Sequence, residues 1–451
     1  MATDPPRPRG VLWTPAHRAT TVASLLVVTL IAFESMGVAT AMPTLVADLH
    51  GQSLYSWPFT AFLVASVVAT VLSGRICDRR GPGLSLVAGP AIFVAGLVLC
   101  GFAQNMFVLL AGRVLQGLGS GTVIVAIYLM IALVYDDRER PAMFAANAAA
   151  WVVPAMVGPS LAGLVTETVG WRWVFLGLVP PALLALVMLI PLARRLRTEA
   201  PGEGRRAGVW AAVGAAVGVA VLTWAAQHPS PAALAYGAGG LIVLAWALRT
   251  LLPPGTVTAR PGLPTVVAAR GLLGGAFAGM EAFLPLTMSA VHGYSPALAG
   301  LPLTVCALGW SAAAGVQGRH PDWSREVALR LGFGLVAVAL VIFAFVSQPW
   351  FPGWLAFLGG VIGGAGMGTA YPSLSLLLLR FSPEAERGFN TSAMQLSDWV
   401  SSAVTVGLGG VLLALLASAE HPSPALAALA VLLTVIALLG VFVTRRWPTR
   451  E

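Results

Sequence analysis

The chain has 451 residues, 57% of them hydrophobic and only 10% charged, with a formal net charge of +8. A soluble domain carries about 25% charged residues, so a large water-soluble domain is excluded. The 26 basic residues are all arginine and lie scattered around apolar runs, a distribution that argues against nucleic-acid binding.

The first 18 residues are polar and rich in Pro and Arg. The apolar run that follows is too long for a signal-peptide core and lacks a small-residue cleavage site, so it is read as a retained helix. Fourteen spans are predicted, at 20–42, 57–74, 84–104, 107–132, 141–166, 172–193, 208–226, 232–252, 265–290, 297–316, 327–347, 353–379, 388–418 and 423–444. Each is near the roughly 20 residues that cross a bilayer. With the amino terminus in the cytoplasm, 24 arginines fall at cytoplasmic span ends, in cytoplasmic loops or in the tails. Arg172 falls outside and Arg113 inside a span. This is the positive-inside bias, and it predicts that both termini are cytoplasmic. Arginine use without lysine hints at a GC-rich bacterial genome, hence a bacterial cytoplasmic (inner) membrane.

The chain is predicted to be all-α and polytopic. A tail (1–19) precedes a six-helix bundle (20–195). A linker with two extra spans (196–263), a second six-helix bundle (264–444) and a tail (445–451) follow. The linker spans hold Ala, Gly and Val and read as an inserted pair. The halves echo each other. Pro43 precedes His50-Gly51 by seven residues, as Pro285 precedes His292-Gly293. Gly74-Arg75 ends the second span, and Gly318-Arg319 follows the tenth. Parallel repeats of this kind place a substrate cavity between halves near the bilayer midplane.

Cys77, Cys100 and Cys306 are widely spaced and suggest neither a disulfide framework nor a metal site. No phosphate-binding Gly-rich loop with its lysine is present, so nucleotide hydrolysis is excluded and no enzyme is expected. An ion gradient, or the substrate's own, remains as the energy source.

Charged and polar residues inside spans are the candidate site. Arg113 lies about two turns inside the fourth span, with Gln116 on the same helical face. A charge there costs several kcal/mol (about 2.5–3.5 on insertion scales) unless paired or hydrated. Glu34, Glu281 and Asp398 are carboxylates inside spans. An apolar setting favours the neutral form of a carboxylate, as a reversible proton carrier requires. Each also fits a buried structural pair. Gln395 and Trp399 flank Asp398, and with Gln116, Trp151, Trp310 and Tyr371 they are expected to line the substrate cavity. Trp151, Trp310, Tyr371 and Trp399 fall within spans, where flat aromatic faces suit lipophilic cations or simply pack. Trp57, Trp171, Trp173, Trp350 and Trp354 lie near span ends and read as interfacial anchors.

Several motifs carry a family resemblance. Gly74-Arg75-Ile76-Cys77-Asp78-Arg79-Arg80-Gly81 resembles the signature between helices 2 and 3 of the major facilitator superfamily. Pro82 and Gly83 replace its last two basic residues, which predicts a weaker outward-state latch. Leu109-x3-Arg113-x2-Gln116-Gly117-x-Gly119 resembles the helix-4 signature, which implies that Arg113 partners a proton-carrying carboxylate. Pro154-x3-Gly158-Pro159-x3-Gly163 resembles the helix-5 antiporter signature, with Pro154 and Ala162 in place of glycines. Phe33-Glu34-x7-Met42-Pro43 resembles the helix-1 signature of the fourteen-helix drug:proton antiporters, with glutamate for aspartate. Trp171-Arg172-Trp173-Val174-Phe175, Phe283-Leu284-Pro285 and Gly293-Tyr294-Ser295-Pro296 resemble the same branch.

The resemblance implies two bundles rocking around a midplane cavity, with proton-coupled efflux of amphipathic or cationic small molecules. Protons would be the coupling ion, with no cofactor. The protein would work as a monomer in the lipid bilayer, without nucleotide or nucleic-acid partners. A proton-coupled metabolite or lipid transporter on the same fold, or a non-transporting sensor, remains open on these residues.

Overall fold

A computed structural model describes residues 11–15, 17–136, 139–196, 208–228, 231–320, 323–383, 387–417 and 422–445. Tail residues 1–10 and 446–451, the polar stretch 197–207, Arg138 and Glu420 lie outside them.

The described residues form helices and connecting turns, with no strand among them. In hydrocarbon every backbone N–H and C=O must be satisfied within the segment, so apolar runs of this length close their hydrogen bonds as helices. The first half holds α1 (Arg18–Asp48), α2 (Trp57–Arg80), α3 (Gly83–Gly101), α4 (Met106–Val134), α5 (Arg140–Ala149), α6 (Val152–Thr168), α7 (Arg172–Leu176) and α8 (Val179–Arg195). Next come α9 (Val209–Gln227) and α10 (Pro231–Leu251). The second half holds α11 (Leu263–Ala290), α12 (Pro296–Arg319), α13 (Arg325–Val346), α14 (Leu355–Phe381), α15 (Arg387–Leu416) and α16 (Ser423–Arg445).

Two expected spans are broken. The run 141–166 is α5 and α6, interrupted at Ala150-Trp151, and 172–193 is α7 and α8, interrupted at Gly177-Leu178. Counting each broken pair once gives the fourteen expected crossings. Alternation places the start of α1 and the end of α16 on one face, the terminal face. The loops after α1, α3, α6, α9, α11, α13 and α15 lie on the opposite, far face.

The same pairings recur in each half. α3 packs on α4 as α13 packs on α14, and α2 on α4 as α12 on α14. α1 contacts α6 and α8, and α11 contacts α15 and α16. The close approaches match too. A Cβ on Gly119 would stand 2.6 Å from the Gly89 carbonyl oxygen, and a Cβ on Gly332 would stand 2.6 Å from that of Gly366. Only glycine lets these backbones meet, a usual device where helices associate in lipid.

The halves touch along α6–α12, α2–α15 and α1–α11. The far-face end of this seam is tight. Tyr55 Oη donates to the Ala282 carbonyl at 3.0 Å, and the hydroxyls of Ser160 and Thr304 lie 2.8 Å apart. A Cβ on Gly163 would stand 2.6 Å from Ala297 Cα, and one on Gly300 would stand 2.7 Å from the Pro159 carbonyl oxygen. The molecule is therefore shut at the far face.

The inserted pair is bound to both halves. α9 packs against α2 and α15, with Val67, Val71, Ala211, Ala215, Leu396 and Val400 in a separate apolar cluster. At its far end Gln227 accepts a hydrogen bond from Trp57 Nε1 at 2.7 Å.

Three local expectations need correction. The stretch after Gly74 is not a loop: α2 continues to Arg80, and the chain turns only at Gly81, whose φ of 72° is the left-handed region that favours glycine. Trp171 is not an exposed anchor but is buried, with Nε1 donating to Asp48 Oδ2 at 3.0 Å. Asp48 also holds Arg172 Nη1 at 3.1 Å. Trp173 and Trp354 at helix ends, and Trp350 in the turn between α13 and α14, are exposed. Arg270, counted among span-end arginines, is buried inside α11.

Candidate functional site

Two buried arginine–carboxylate pairs occupy the membrane-spanning helices, one in each half. The first half's pair starts from α1, whose middle is buried on nearly every face. Glu34 projects from it and is fully buried. Arg113, about two turns into α4, reaches across so that Nη1 donates to Glu34 Oε1. The same Nη1 donates to Gln116 Oε1 at 2.8 Å, and Nε donates to the Pro58 carbonyl at 3.0 Å. The guanidinium lies 4.6 Å from the Phe62 ring centroid. A buried ion pair holds only when further hydrogen bonds satisfy the leftover donors, and here α2 and Gln116 supply them. Glu34 Oε2 and Gln116 Nε2 are nevertheless buried without a hydrogen-bond partner.

The structure therefore brings Glu34, Arg113 and Gln116 together. It does not put Gln116 on a cavity wall, as the sequence reading has it. Gln116 is fully buried, its Oε1 also 3.5 Å from the Cys100 thiol. A Cβ on Gly96 would stand 2.7 Å from Gln116 Cγ, so α3 packs directly over it.

The second half's pair is Arg270 on α11 and Asp398 on α15. Nε of Arg270 donates to Asp398 Oδ2 at 2.9 Å, and Tyr371 Oη donates to the same oxygen at 2.9 Å. The guanidinium carbon sits 3.3 Å from the Tyr371 ring centroid. Trp310 packs edge-on to Tyr371 at 5.3 Å, and Phe277 edge-on to Trp310 at 5.7 Å. Asp398, Tyr371 and Trp310 thus gather at one place, with Arg270 and Phe277 beside them. Tyr128, from α4 of the other half, lies within electrostatic range of Arg270 and Tyr371.

Glu281 stands apart from both pairs. It is half-buried on α11, near Cys306, and among the described residues no side chain donates to it. Its neighbour Ala282 receives the Tyr55 hydroxyl, so Glu281 borders the far-face seam.

Other expected cavity residues lie elsewhere. Trp399 packs into the apolar cluster with α2 and α9, away from the Arg270 group. Gln395, four residues earlier and half-buried, shares that helix face. Trp151 is not within a span but at the break between α5 and α6, where it is exposed. Among the motif residues, Pro154 and Pro159 are buried in α6, and Gly158 faces α1, its Cβ position 3.4 Å from Met36 Cβ. Gly163 faces α12 across the seam. Gly74 is helical, Arg79 is exposed and Gly81 makes the turn. The side chain of Asp78 lies outside the described atoms.

Sequence reasoning missed Arg270, Tyr128, Phe277 and Tyr55. A signal for Arg270 existed: like Arg113 it lies about two turns inside its helix. Charge counting assigned it to the nearby span end.

Paired buried charges inside a two-half helical membrane bundle define a class, the polytopic membrane transporters. The profile of the Major Facilitator Superfamily matches residues 24–405, and the chain belongs to that family of membrane transporters. An uncharacterised MFS-type transporter of Mycobacterium tuberculosis is 27% identical over 425 residues, covering 86% of this chain and 58% of that one. The chain thus spans under two thirds of that relative's length. A probable multidrug-efflux transporter of M. tuberculosis is 27% identical, covering 82% of each chain. Among solved structures, an auto-inhibited POT family peptide transporter superposes with a TM-score of 0.72 at 15% identity, over 96% of this chain and 98% of that one. That likeness is one of fold.

Proposed function

We propose that this chain is a proton-coupled exporter of amphipathic or cationic small molecules. It would reside in a bacterial cytoplasmic membrane with the terminal face toward the cytoplasm, and work as a monomer without cofactor. The observation that carries this reading is the Glu34–Arg113 pair, sealed in the first half with Glu34 Oε2 unpartnered. Sequence likeness to a probable multidrug-efflux transporter supports the export direction.

In the proposed cycle the two six-helix units, 20–195 and 264–444, rock about the seam, with 196–263 as an inserted pair. With the far face open, Glu34 takes a proton and loosens its hold on Arg113. The freed guanidinium then repels a cationic substrate, which leaves. With the far face shut, as in this structure, substrate arrives from the terminal face and the proton departs. Glu281, at the seam, and Asp398 are secondary candidates for the same proton traffic. The Pro159 and Gly163 surface, against Gly300 and Ala297, supplies the close contact on which the halves turn, Gly158 packs α6 on α1, and the Gly74–Gly81 segment braces the terminal face.

The test is transport in proteoliposomes holding an internal pH dye, under an imposed proton gradient, with a panel of lipophilic cations. Proton movement opposite to substrate, lost in Glu34→Gln with the protein still inserted, is expected. Movement in the same direction would make the protein a symporter and overturn the reading.

A further inference from the structure

Arg113 and Arg270 differ in how their donors are used. Arg113 donates through Nε to Pro58 and through Nη1 to Glu34 and Gln116. Arg270 donates through Nε to Asp398 alone; among the described residues no acceptor is hydrogen-bonded to Nη1 or Nη2. Yet the residue is only 4% exposed. A guanidinium offers five N–H donors, and neither Nη is among the fully buried atoms left without a partner, so the Nη edge lies at the small exposed part of the residue.

The surroundings hold the group in place. Asp398 Oδ2 fixes Nε, and the ring of Tyr371 carries one face of the guanidinium. Gly274 makes the arrangement possible, because Asp398 Oδ1 occupies the space a Cβ there would fill. Trp310 and Phe277 extend the aromatic wall, and Tyr128 approaches from the opposite half. A fixed guanidinium with its Nη edge free is the geometry that binds a carboxylate through two parallel hydrogen bonds.

We propose that Arg270, held by Asp398 and Tyr371 and walled by Trp310 and Phe277, is an oxyanion subsite that takes the carboxylate of an aromatic substrate. The proposal rests on the transporter reading and narrows its substrate class. It narrows the proposed amphipathic class to amphiphiles that carry an acid group beside an aromatic body. A lipid phosphate shares the oxyanion chemistry but lacks the flat ring that the aromatic wall fits.

The test is equilibrium binding to the purified full chain, with no gradient, of 2-naphthoate and of 2-naphthamide. The two share shape and differ in charge. Wild-type protein is expected to bind the acid at least about tenfold more tightly, the scale of one charge-assisted hydrogen bond. Arg270→Gln is expected to abolish that preference. Because it strands Asp398, the double variant Arg270→Gln/Asp398→Asn removes both charges and keeps the test sound if the single variant misfolds. Equal binding of acid and amide by wild type, or a preference that survives in the double variant, would overturn the proposal. So would loss of naphthoate binding in phosphatidylglycerol nanodiscs but not in phosphatidylcholine ones, since a net anionic lipid headgroup would then hold the subsite. An acid preference without any proton-coupled transport would leave the subsite standing and refute the exporter reading alone.

Discussion

The far-face seam depends on two backbones that meet without side chains between them. Gly163 of α6 faces Ala297 and Pro296 of α12. A Cβ added there would stand 2.6 Å from both Ala297 Cα and the Pro296 carbonyl oxygen. Both are backbone atoms, so no flexible side chain can yield. Gly163→Ala should therefore act as an overpacking change, which costs about 1–3 kcal/mol. The cost falls only on the state in which the far face is shut. A bias of that size moves the equilibrium between shut and open states by about 5- to 150-fold. Spin labels at Thr168→Cys and Trp350→Cys, on far-face ends of the two halves, report the distance. Both positions are exposed, and the three native cysteines are buried. Pulsed electron-electron resonance should show a longer population appear in Gly163→Ala. An unchanged distance distribution would refute the reasoning that this contact governs closure.

Other outcomes follow from the same contacts. Arg113→Gln leaves Glu34 buried without a counter-charge and should cost about 3–5 kcal/mol; Glu34→Gln/Arg113→Gln should recover much of that, read by thermal melting in detergent. Gly274→Ala should displace Asp398 from Arg270 and mimic Arg270→Gln in the naphthoate assay while leaving insertion unchanged. Gln227→Ala removes the acceptor of Trp57 Nε1 and should cost about 1 kcal/mol, again by melting. Asp48→Asn weakens an exposed pair with Arg172 and should change stability by no more than about 1 kcal/mol.

Much of the architecture is legible in the sequence, because membrane spans announce themselves by length and apolarity. The fourteen crossings, their order and the inserted pair follow from that signal. The helix breaks at Ala150-Trp151 and Gly177-Leu178 do not, since apolar residues continue through them. Glu34 and Arg113 stand out because a charge inside a span is rare. That they touch is a matter of how α1 packs beside α4. Arg270 escaped because it lies near enough to a terminal-face span end to pass as a topology signal. Trp399 shows the limit of placing residues by depth alone: it sits beside Asp398 in sequence, yet α15 turns it toward α9. Trp171 reads as an interfacial anchor by position, and only the tertiary contact with Asp48 makes it a buried hydrogen-bond donor.

The central claim is that Glu34 exchanges its proton for substrate. Calorimetry on purified protein tests it directly. Binding of a lipophilic cation such as tetraphenylphosphonium is measured near neutral pH in two buffers of different ionisation enthalpy. The account predicts a buffer-dependent heat that corresponds to proton release by wild type, and a buffer-independent heat for Glu34→Gln. Equal heats in both buffers for wild type, or the same proton release from the variant, would contradict it.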